Sequence, residues 1–411
     1  MKKTLFTILA ICLSACCAKL QAGIPITFHN KIADVASTNT DTPKNDVAGA
    51  NSFWGNAFYD LCKTSKKENI CLSPLSAQYA LAMVANGAKG KTKAELYKAL
   101  ASGNDVNAYY KELLEMLNTN KDWQHCEANV ANSIWINDKM SVKEPFITEN
   151  KENYEATIES VAFNDSTLQR INDWCSEMTK GKIPSILDEI KPNDRMYLIN
   201  ALYFNAIWNK KFKKENTTRE NFTTENGSVV KVDMMRQQEN ALYCNNEDME
   251  ISVKGYYDGK YSMLLALPKK DMKCGKVAQM VMENLDRYLL EMNRCEVKLS
   301  MPKFTVEFGS SLKHILERQG ITRAFGGRAQ FDGISDEPLH IDDIMQKTYV
   351  KVDEDGTEAA AVTAVRVGAM SMRPKNVIKM KLDRPFVFAI IKNEGNEVLF
   401  VGKIGNPIEK Q

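Results

Sequence analysis

Histidine is scarce in this 411-residue chain: His29, His125, His314 and His340 are all there are, and no two lie close in sequence. That leaves no local histidine-based zinc site. None of the ten cysteines forms a Cys-x-x-Cys pair. Neither sign of charge dominates, since 54 Lys+Arg against 52 Asp+Glu leaves a net +2. There is thus no whole-molecule field to recruit nucleic acid or an acidic membrane. Gly-x-Ser-x-Gly and His-Glu-x-x-His are both missing. The stretch from Asn86 to Thr92 ends like a phosphate loop, but Ala85 stands where the first glycine is needed and the residues before it are helical in pattern. It reads as a basic turn between two helices. No acidic pair stands out as a catalytic couple.

What is present begins with an export signal. Lys2 and Lys3 precede an apolar run from Leu5 to Leu13, too short for a bilayer core of about 30 Å and right for a secretory signal. Leu13-Ser14-Ala15-Cys16 resembles a bacterial lipoprotein cleavage box. That resemblance makes residues 1–15 the signal peptide and Cys16 an acylated N-terminus held at the membrane by its lipid. Cleavage after Ala22 is the alternative, with Leu20 a poorer fit to the small-x-small rule. The first route gives an outer-membrane or surface lipoprotein of the cell envelope, the second a secreted protein. Gly23 to Ala50 includes the polar run Ser37 to Pro43, so residues 16–50 read as a lipidated end and flexible tether. Cys17, Cys62, Cys71, Cys126, Cys175, Cys244, Cys274 and Cys295 remain. A chain this long does not need disulfides in place of a core, and buried free thiols are expected.

With 44% hydrophobic and 26% charged residues, the rest is an ordinary globular chain. Phe53, Trp54, Ala57, Phe58 and Leu61 recur at helical spacing, as do apolar residues over Ser76 to Asn86 and Lys93 to Leu100. Cys295 to Met301 alternates like a strand. Pro385 to Ile391 and Val398 to Val401, separated by Asn393 to Asn396, read as a buried hairpin. Helices early and strands late predict an α+β fold. No linker or repeat interrupts residues 51–411, which are read as one large domain.

The informative segment lies between Val352 and Pro374, after a strand-like stretch from Lys347 to Val352. With period two, one face beyond Gly356 holds Thr357, Ala359, Ala361, Thr363, Val365, Val367 and Ala369, all small or β-branched and uncharged. The other holds Glu358, Ala360, Val362, Ala364, Arg366, Gly368 and Met370. One face is fit for burial, yet the segment is alanine-rich and a poor strand locally. It is a candidate for a conformational switch, with an ordinary edge strand as the plain alternative.

Six motifs in order carry a family resemblance. Glu354-Asp-Gly-Thr-Glu-Ala-Ala-Ala361 resembles the hinge of the serpins, the serine protease inhibitor family. Met380-Lys-Leu-Asp-Arg-Pro-Phe-Val-Phe-Ala-Ile390 is similar to the C-terminal signature, and Asn69-Ile-Cys-Leu-Ser-Pro-Leu-Ser-Ala77 to an early helix. Leu198 to Trp208, Leu299 to Phe304 and Leu316 to Phe325 match between them. The resemblance implies three β-sheets, about nine helices and an exposed reactive-centre loop at about 354–379. It also implies a monomeric suicide substrate that is not an enzyme and needs no cofactor. A serine endopeptidase, or a cysteine one, would cut the loop and form an acyl-enzyme, and the freed hinge would enter the largest sheet and distort the bound protease. Thr357, Ala359 and Ala361 would enter first, their small size lowering the barrier; a charged residue there would be buried unpaired. A non-inhibitory member acting as a surface binding protein is the alternative.

The family's usual loop length places the cut bond at Met370–Ser371, which suits elastase-like or chymotrypsin-like partners. Gly356 to Met370 is 15 residues, an inserted strand of roughly 50 Å. Arg366 is the trypsin-like alternative, but a cut there shortens that strand by roughly 13 Å; Arg373 lies beyond the usual bond. By the same resemblance Ser73, Ser76 and Asn200 match a polar cluster beneath the opening sheet, and Gln346 stands where histidine is more common. Trp208 matches an aromatic residue where insertion starts, and Glu354 and Lys303 match positions that can pair across that entrance. The glycosylation-like triplets at Asn164, Asn216, Asn221 and Asn226 are read as incidental beside a bacterial lipoprotein signal.

Overall fold

The structure is a computed structural model that describes residues 46–101, 103, 105–118, 125–357 and 377–408. Helix α1 (Val47–Thr64) starts at Asp46, whose carboxylate accepts the Gly49 N–H at 2.7 Å, and it buries Trp54, Ala57, Phe58 and Leu61 as the spacing predicts. Strand β1 (Ile70–Leu72) leads into α2 (Pro74–Ala85), with Ser73 as N-cap and Pro74 in the first turn. All of α2 is buried, so it has no polar face. The chain continues through α3 (Gly90–Tyr97) and α4 (Val106–Asn118). The turn between α2 and α3 packs on 330–334: Lys89 N–H donates to Gln330 O at 2.9 Å, and Gly87 O accepts Gly333 N–H at 3.0 Å. These amides are committed to the fold and offer no phosphate cradle.

Strands are not confined to the later half. β2 (Cys126–Asn137), β3 (Thr157–Val161) and β4 (Met196–Ile207) alternate with α5 (Glu144–Tyr154) and α6 (Asp165–Met178). β2 and β4 are covered on both faces, by the main core and by α6, so their sequences lack the clean alternation that marks a half-exposed strand. Then come β5 (Thr218–Thr223), β6 (Val229–Asn245), β7 (Met249–Gly255) and β8 (Tyr261–Pro268). Helices α7 (Cys274–Glu283) and α8 (Leu285–Glu291) precede β9 (Asn293–Pro302) and β10 (Phe304–Ser311). After α9 (Lys313–Arg318) the chain ends in β11 (Met345–Val352), β12 (Gly356–Thr357), β13 (Ile378–Lys381), β14 (Phe386–Lys392) and β15 (Val398–Ile404).

The described residues thus hold nine α-helices, and their strands form two hydrogen-bonded sets. One is six-stranded, in the order β10-β11-β12-β4-β2-β3. The other runs β1-β15-β14-β8-β7-β6-β9-β13 with β5 on β6. Two of the three expected sheets are continuous here because the long β6 pairs with β5 over residues 229–234, with β9 over 234–243 and with β7 over 242–245. The hairpin β14/β15 is central and fully buried. A smaller core lies under α6, separate from the main one. All seven described cysteines are free, but only Cys71, Cys126, Cys175 and Cys274 are buried as expected, while Cys62, Cys244 and Cys295 are partly exposed; burial pushes the Cys71 thiol up to about 12.

Gly402 in β15 shows how tightly the main core is filled. A Cβ there would lie 2.3 Å from the Phe388 ring and 3.1 Å from Ile70 O. Gly402→Ala should therefore lower stability by about 1–3 kcal/mol, read as a lower urea midpoint at unchanged slope.

Candidate functional site: the hinge and the opening of the six-stranded sheet

Three residues separate β11 from β12. Asp353 N–H donates to Gly356 O at 3.0 Å, and the Asp353 carboxylate accepts the Asp355 N–H at 3.0 Å. The chain reverses there and β12 returns between β11 and β4. Thr357 lies opposite Val352 on one side and Ala206 on the other, and Gly356 lies opposite Ile207. β12 is antiparallel to both neighbours. Glycine is required at 356, because a Cβ would sit 2.1 Å from Ala206 O and 2.7 Å from Ile207 Cα.

Aromatic residues hold this wedge from the end of β4. Trp208 N–H donates to Asp355 O at 2.9 Å, its indole Nε1–H to Asp353 O at 3.0 Å, and Phe212 N–H to Glu354 O at 3.0 Å. Tyr256 stacks on Trp208 at 4.6 Å and 11°. Its hydroxyl lies 2.7 Å from the buried Thr357 Oγ1. The buried Lys254 ammonium lies 5.3 Å from the Trp208 indole and 4.8 Å from the Phe212 ring. Burial lowers the Lys254 pKa, opposed by Glu239 at 2.8 Å. Lys210 O and the Gln237 carboxamide oxygen take its other protons.

The two hinge carboxylates are paired. Glu354 is buried and its Oε1 accepts from Lys303 Nζ and from Thr217 Oγ1, both at 2.8 Å. Burial pushes the Glu354 carboxyl up, but the Lys303 and Thr217 bonds outweigh it and hold the pKa below the ordinary value. Asp355, pushed up by burial in the same way, is held low by Lys211 at 2.9 Å and Lys214 at 3.4 Å.

Below the hinge, Gln346 uses both ends of its amide on Ser73, accepting from its N–H and donating to its C=O, each at 2.9 Å. Ser73 Oγ accepts the Ser76 N–H and donates to Leu399 O. Asn200 stands apart from this group: its Nδ2 donates to Asn132 Oδ1 at 2.7 Å, and its buried Oδ1 has no hydrogen-bond partner among the described residues. The structure thus brings Glu354 to Lys303, Trp208 to the hinge turn, and Gln346 to Ser73 and Ser76, but puts Asn200 in a different chain of bonds. Tyr256, Phe212, Lys254, Lys211, Lys214 and Thr217 were not expected from sequence. Only the basic run Lys210 to Lys214, set against Asp353-Glu-Asp355, offered a signal. Cys16, Ala359, Ala360, Ala361, Arg366, Met370, Ser371 and Arg373 lie outside the described residues.

A family model described as Serpin (serine protease inhibitor) matches residues 48–407. The chain belongs to the serpin family. It is similar to human Serpin I2, with 31% identity over 367 residues, 85% of this chain and 89% of that one. An uncharacterised serpin-like protein of Thermococcus kodakarensis is 31% identical over 423 residues, 98% of each chain. Among solved structures, the thermophilic serpin Tengpin in its native state matches with a TM-score of 0.80 and 34% identity, over 90% of this chain and 96% of that one. Serpins are as a family protease inhibitors rather than enzymes, and the fold described above is theirs.

Two outcomes test the hinge. Depressed carboxyl pKa values mean that docking is favoured above the ordinary carboxylate range, near pH 4, and that this contribution is lost as pH falls through the lower folded values. The Trp208-dependent fluorescence, isolated against Trp208→Phe, should shift on acidification in the native chain and much less in Glu354→Gln/Asp355→Asn. Gly356→Ala should expel β12, read as faster amide exchange at Thr357 and Trp208, whose N–H donates to Asp355 O, with the rest of the sheet unchanged.

Proposed function

We propose that this serpin is a suicide-substrate inhibitor of serine endopeptidases, with cysteine endopeptidases also within reach. The protease cuts the loop after β12, its acyl-enzyme remains attached, and the released strand enters between β4 and β11. The observation that carries this reading is β12 itself, already paired on both edges and antiparallel to both. Continuing its register puts Ala359 opposite Phe204 and Val350, and Ala361 opposite Leu202 and Thr348, all four buried. Small side chains on the entering strand would meet large ones in the sheet, and no charge would point into the core. Met370–Ser371 is the proposed reactive bond, with Arg366 and Arg373 as trypsin-like alternatives; elastase-like or chymotrypsin-like proteases are the favoured targets. Export and lipidation at Cys16 are part of the same proposal and rest on the sequence of the first 16 residues.

The test is incubation of the purified chain with neutrophil elastase, a chymotrypsin-like enzyme, trypsin and a subtilisin, read by denaturing gel and intact mass. A stable band near the summed masses with a C-terminal fragment starting at Ser371 supports both mechanism and bond; a fragment starting elsewhere moves the bond alone. Loop cleavage by all four without any complex would replace this reading with a non-inhibitory one. Thr357→Arg should still be cut but should lose complex by at least about tenfold. It buries an unpaired charge costing several kcal/mol, and about 1.4 kcal/mol is a factor of ten.

A further inference from the structure

Charge is spread unevenly over this nearly neutral chain. β6, β9 and β13 lie side by side, with β9 in the middle and β13 at the edge. Val297, Leu299 and Met380 are buried in the main core, so the alternate positions Lys298, Lys379 and Lys381 share the outer face, and all three are exposed. Arg236 and Lys381 both lie opposite Ser300, in step with Lys298 two residues back. These two cations are matched: Glu220 pairs with Arg236 and, at 3.1 Å, with Lys381, which also lies 3.5 Å from Asp383. Lys298 and Lys379 are not. Neither makes a side-chain hydrogen bond, ion pair or aromatic contact among the described residues, and the carboxylates of the three strands are engaged elsewhere. Asp233 pairs with Arg219 at 3.3 Å, Glu239 with Lys254 at 2.8 Å, and Glu296 accepts from Gln238 Nε2 at 2.9 Å.

The two lysines are also set against each other. Lys379 lies directly opposite Lys298 in the parallel pair of β13 and β9, on strands about 4.8 Å apart. Like charges so placed destabilise a sheet. Gln238, opposite Lys298 on the other side, brings no charge to offset them. A lysine on the edge strand β13 guards against pairing with other chains, but that reason does not reach Lys298, one strand in. Position supplies another. The seven residues 371–377 separate β13 from the proposed reactive bond, a reach of at most about 25 Å. A chymotrypsin-like protease is a globule roughly 45 Å across, so holding that bond brings the rim of its cleft within reach of this face.

We propose that the outer face of β9 and β13, centred on Lys298 and Lys379, is a docking surface for the target protease that selects enzymes with carboxylates on the rim of the cleft. The proposal rests on the inhibitor reading above. A carboxylate set between the two ammonium groups relieves a repulsion that the free chain bears. Charges on the rim of an interface act mainly on the rate of encounter, and salt screens them. The face therefore sets which protease reaches the loop and leaves untouched how often a cut loop captures it.

The experiment compares the purified chain with Lys298→Gln/Lys379→Gln and Lys298→Glu/Lys379→Glu, changes at exposed positions that leave the core intact. The probes are the anionic and cationic isoforms of whichever of chymotrypsin, trypsin and elastase the chain traps. The second-order rate of complex formation and the partition ratio are read at about 50 and about 300 mM salt, between which the Debye length falls from about 14 to about 6 Å. At low salt the native chain should capture the anionic isoform about ten- to a hundredfold faster than the cationic one, and high salt should narrow that gap. The Gln variant should slow capture of the anionic isoform about three- to tenfold. The Glu variant should slow it further and speed capture of the cationic isoform, with the partition ratio unmoved in both. Native rates in the Gln variant at low salt, the same loss on both isoforms, or a shifted partition ratio would each overturn the docking surface. If the native chain traps none of these enzymes, the inhibitor reading fails and the docking surface falls with it. Trapping by the native chain with unmoved variants removes the docking surface alone.

Discussion

Everything at the working end of this molecule depends on a two-residue strand paired on both edges. Thr357 and Gly356 take their places between β4 and β11, and the missing Cβ of Gly356 is what lets the chain pass under the Ala206 carbonyl. Side chains alternate with period two, so fixing the register of one pair fixes the face of every later residue on that strand. The wedge is a short contact with a long consequence. It sets Thr357 between Ala206 and Val352, both in the main core.

The wedge is held by groups that compensate one another's burial. Glu354 would be costly to bury alone, but it accepts from Lys303 and Thr217. Lys254 would be costly too, but Glu239, Gln237 and the Lys210 carbonyl satisfy its three protons while two aromatic faces lie within cation–π range. Trp208, one of those two aromatic faces, stacks on the Tyr256 ring and spends both its N–H donors on the hinge turn. Removing any one partner strands another buried polar group, which is why so small an element can be held in one place.

The sequence was legible where one element carries its own pattern. Periodicity placed α1 and α2, the unbroken apolar runs placed the β14/β15 hairpin, and alternation placed β9 and β11. It failed at β2 and β4, which carry alanine and asparagine and are covered on both faces, and it began α3 three residues late. The hinge was readable because smallness and period two are local properties. The partners that dock it are single residues brought from Lys211, Thr217, Lys254 and Tyr256, and no local pattern announces a contact made across the fold. Family resemblance reached Ser73, Gln346, Trp208 and Lys303 but grouped Asn200 with the serines, whereas its amide bonds to Asn132. Gln346 met expectation in kind: an amide that donates and accepts at once holds both backbone groups of Ser73 without a titrating ring.

Small residues and weak local strand propensity beyond Gly356 belong to one physical requirement. A segment with strong strand propensity and bulky side chains would stabilise itself against any partner and would need a wide gap to enter. An alanine-rich segment gains little alone and gains much from a sheet whose own side chains fill the core, as Phe204, Val350 and Leu202 do. The free energy of entry then resides in the sheet rather than in the strand. On the proposed mechanism, that places control over entry in whatever spans β4 and β11: the hinge wedge above and, below it, the chain leaving α6, whose Ile183 and Ile186 share the smaller core with Ile199 of β4 and Tyr349 of β11.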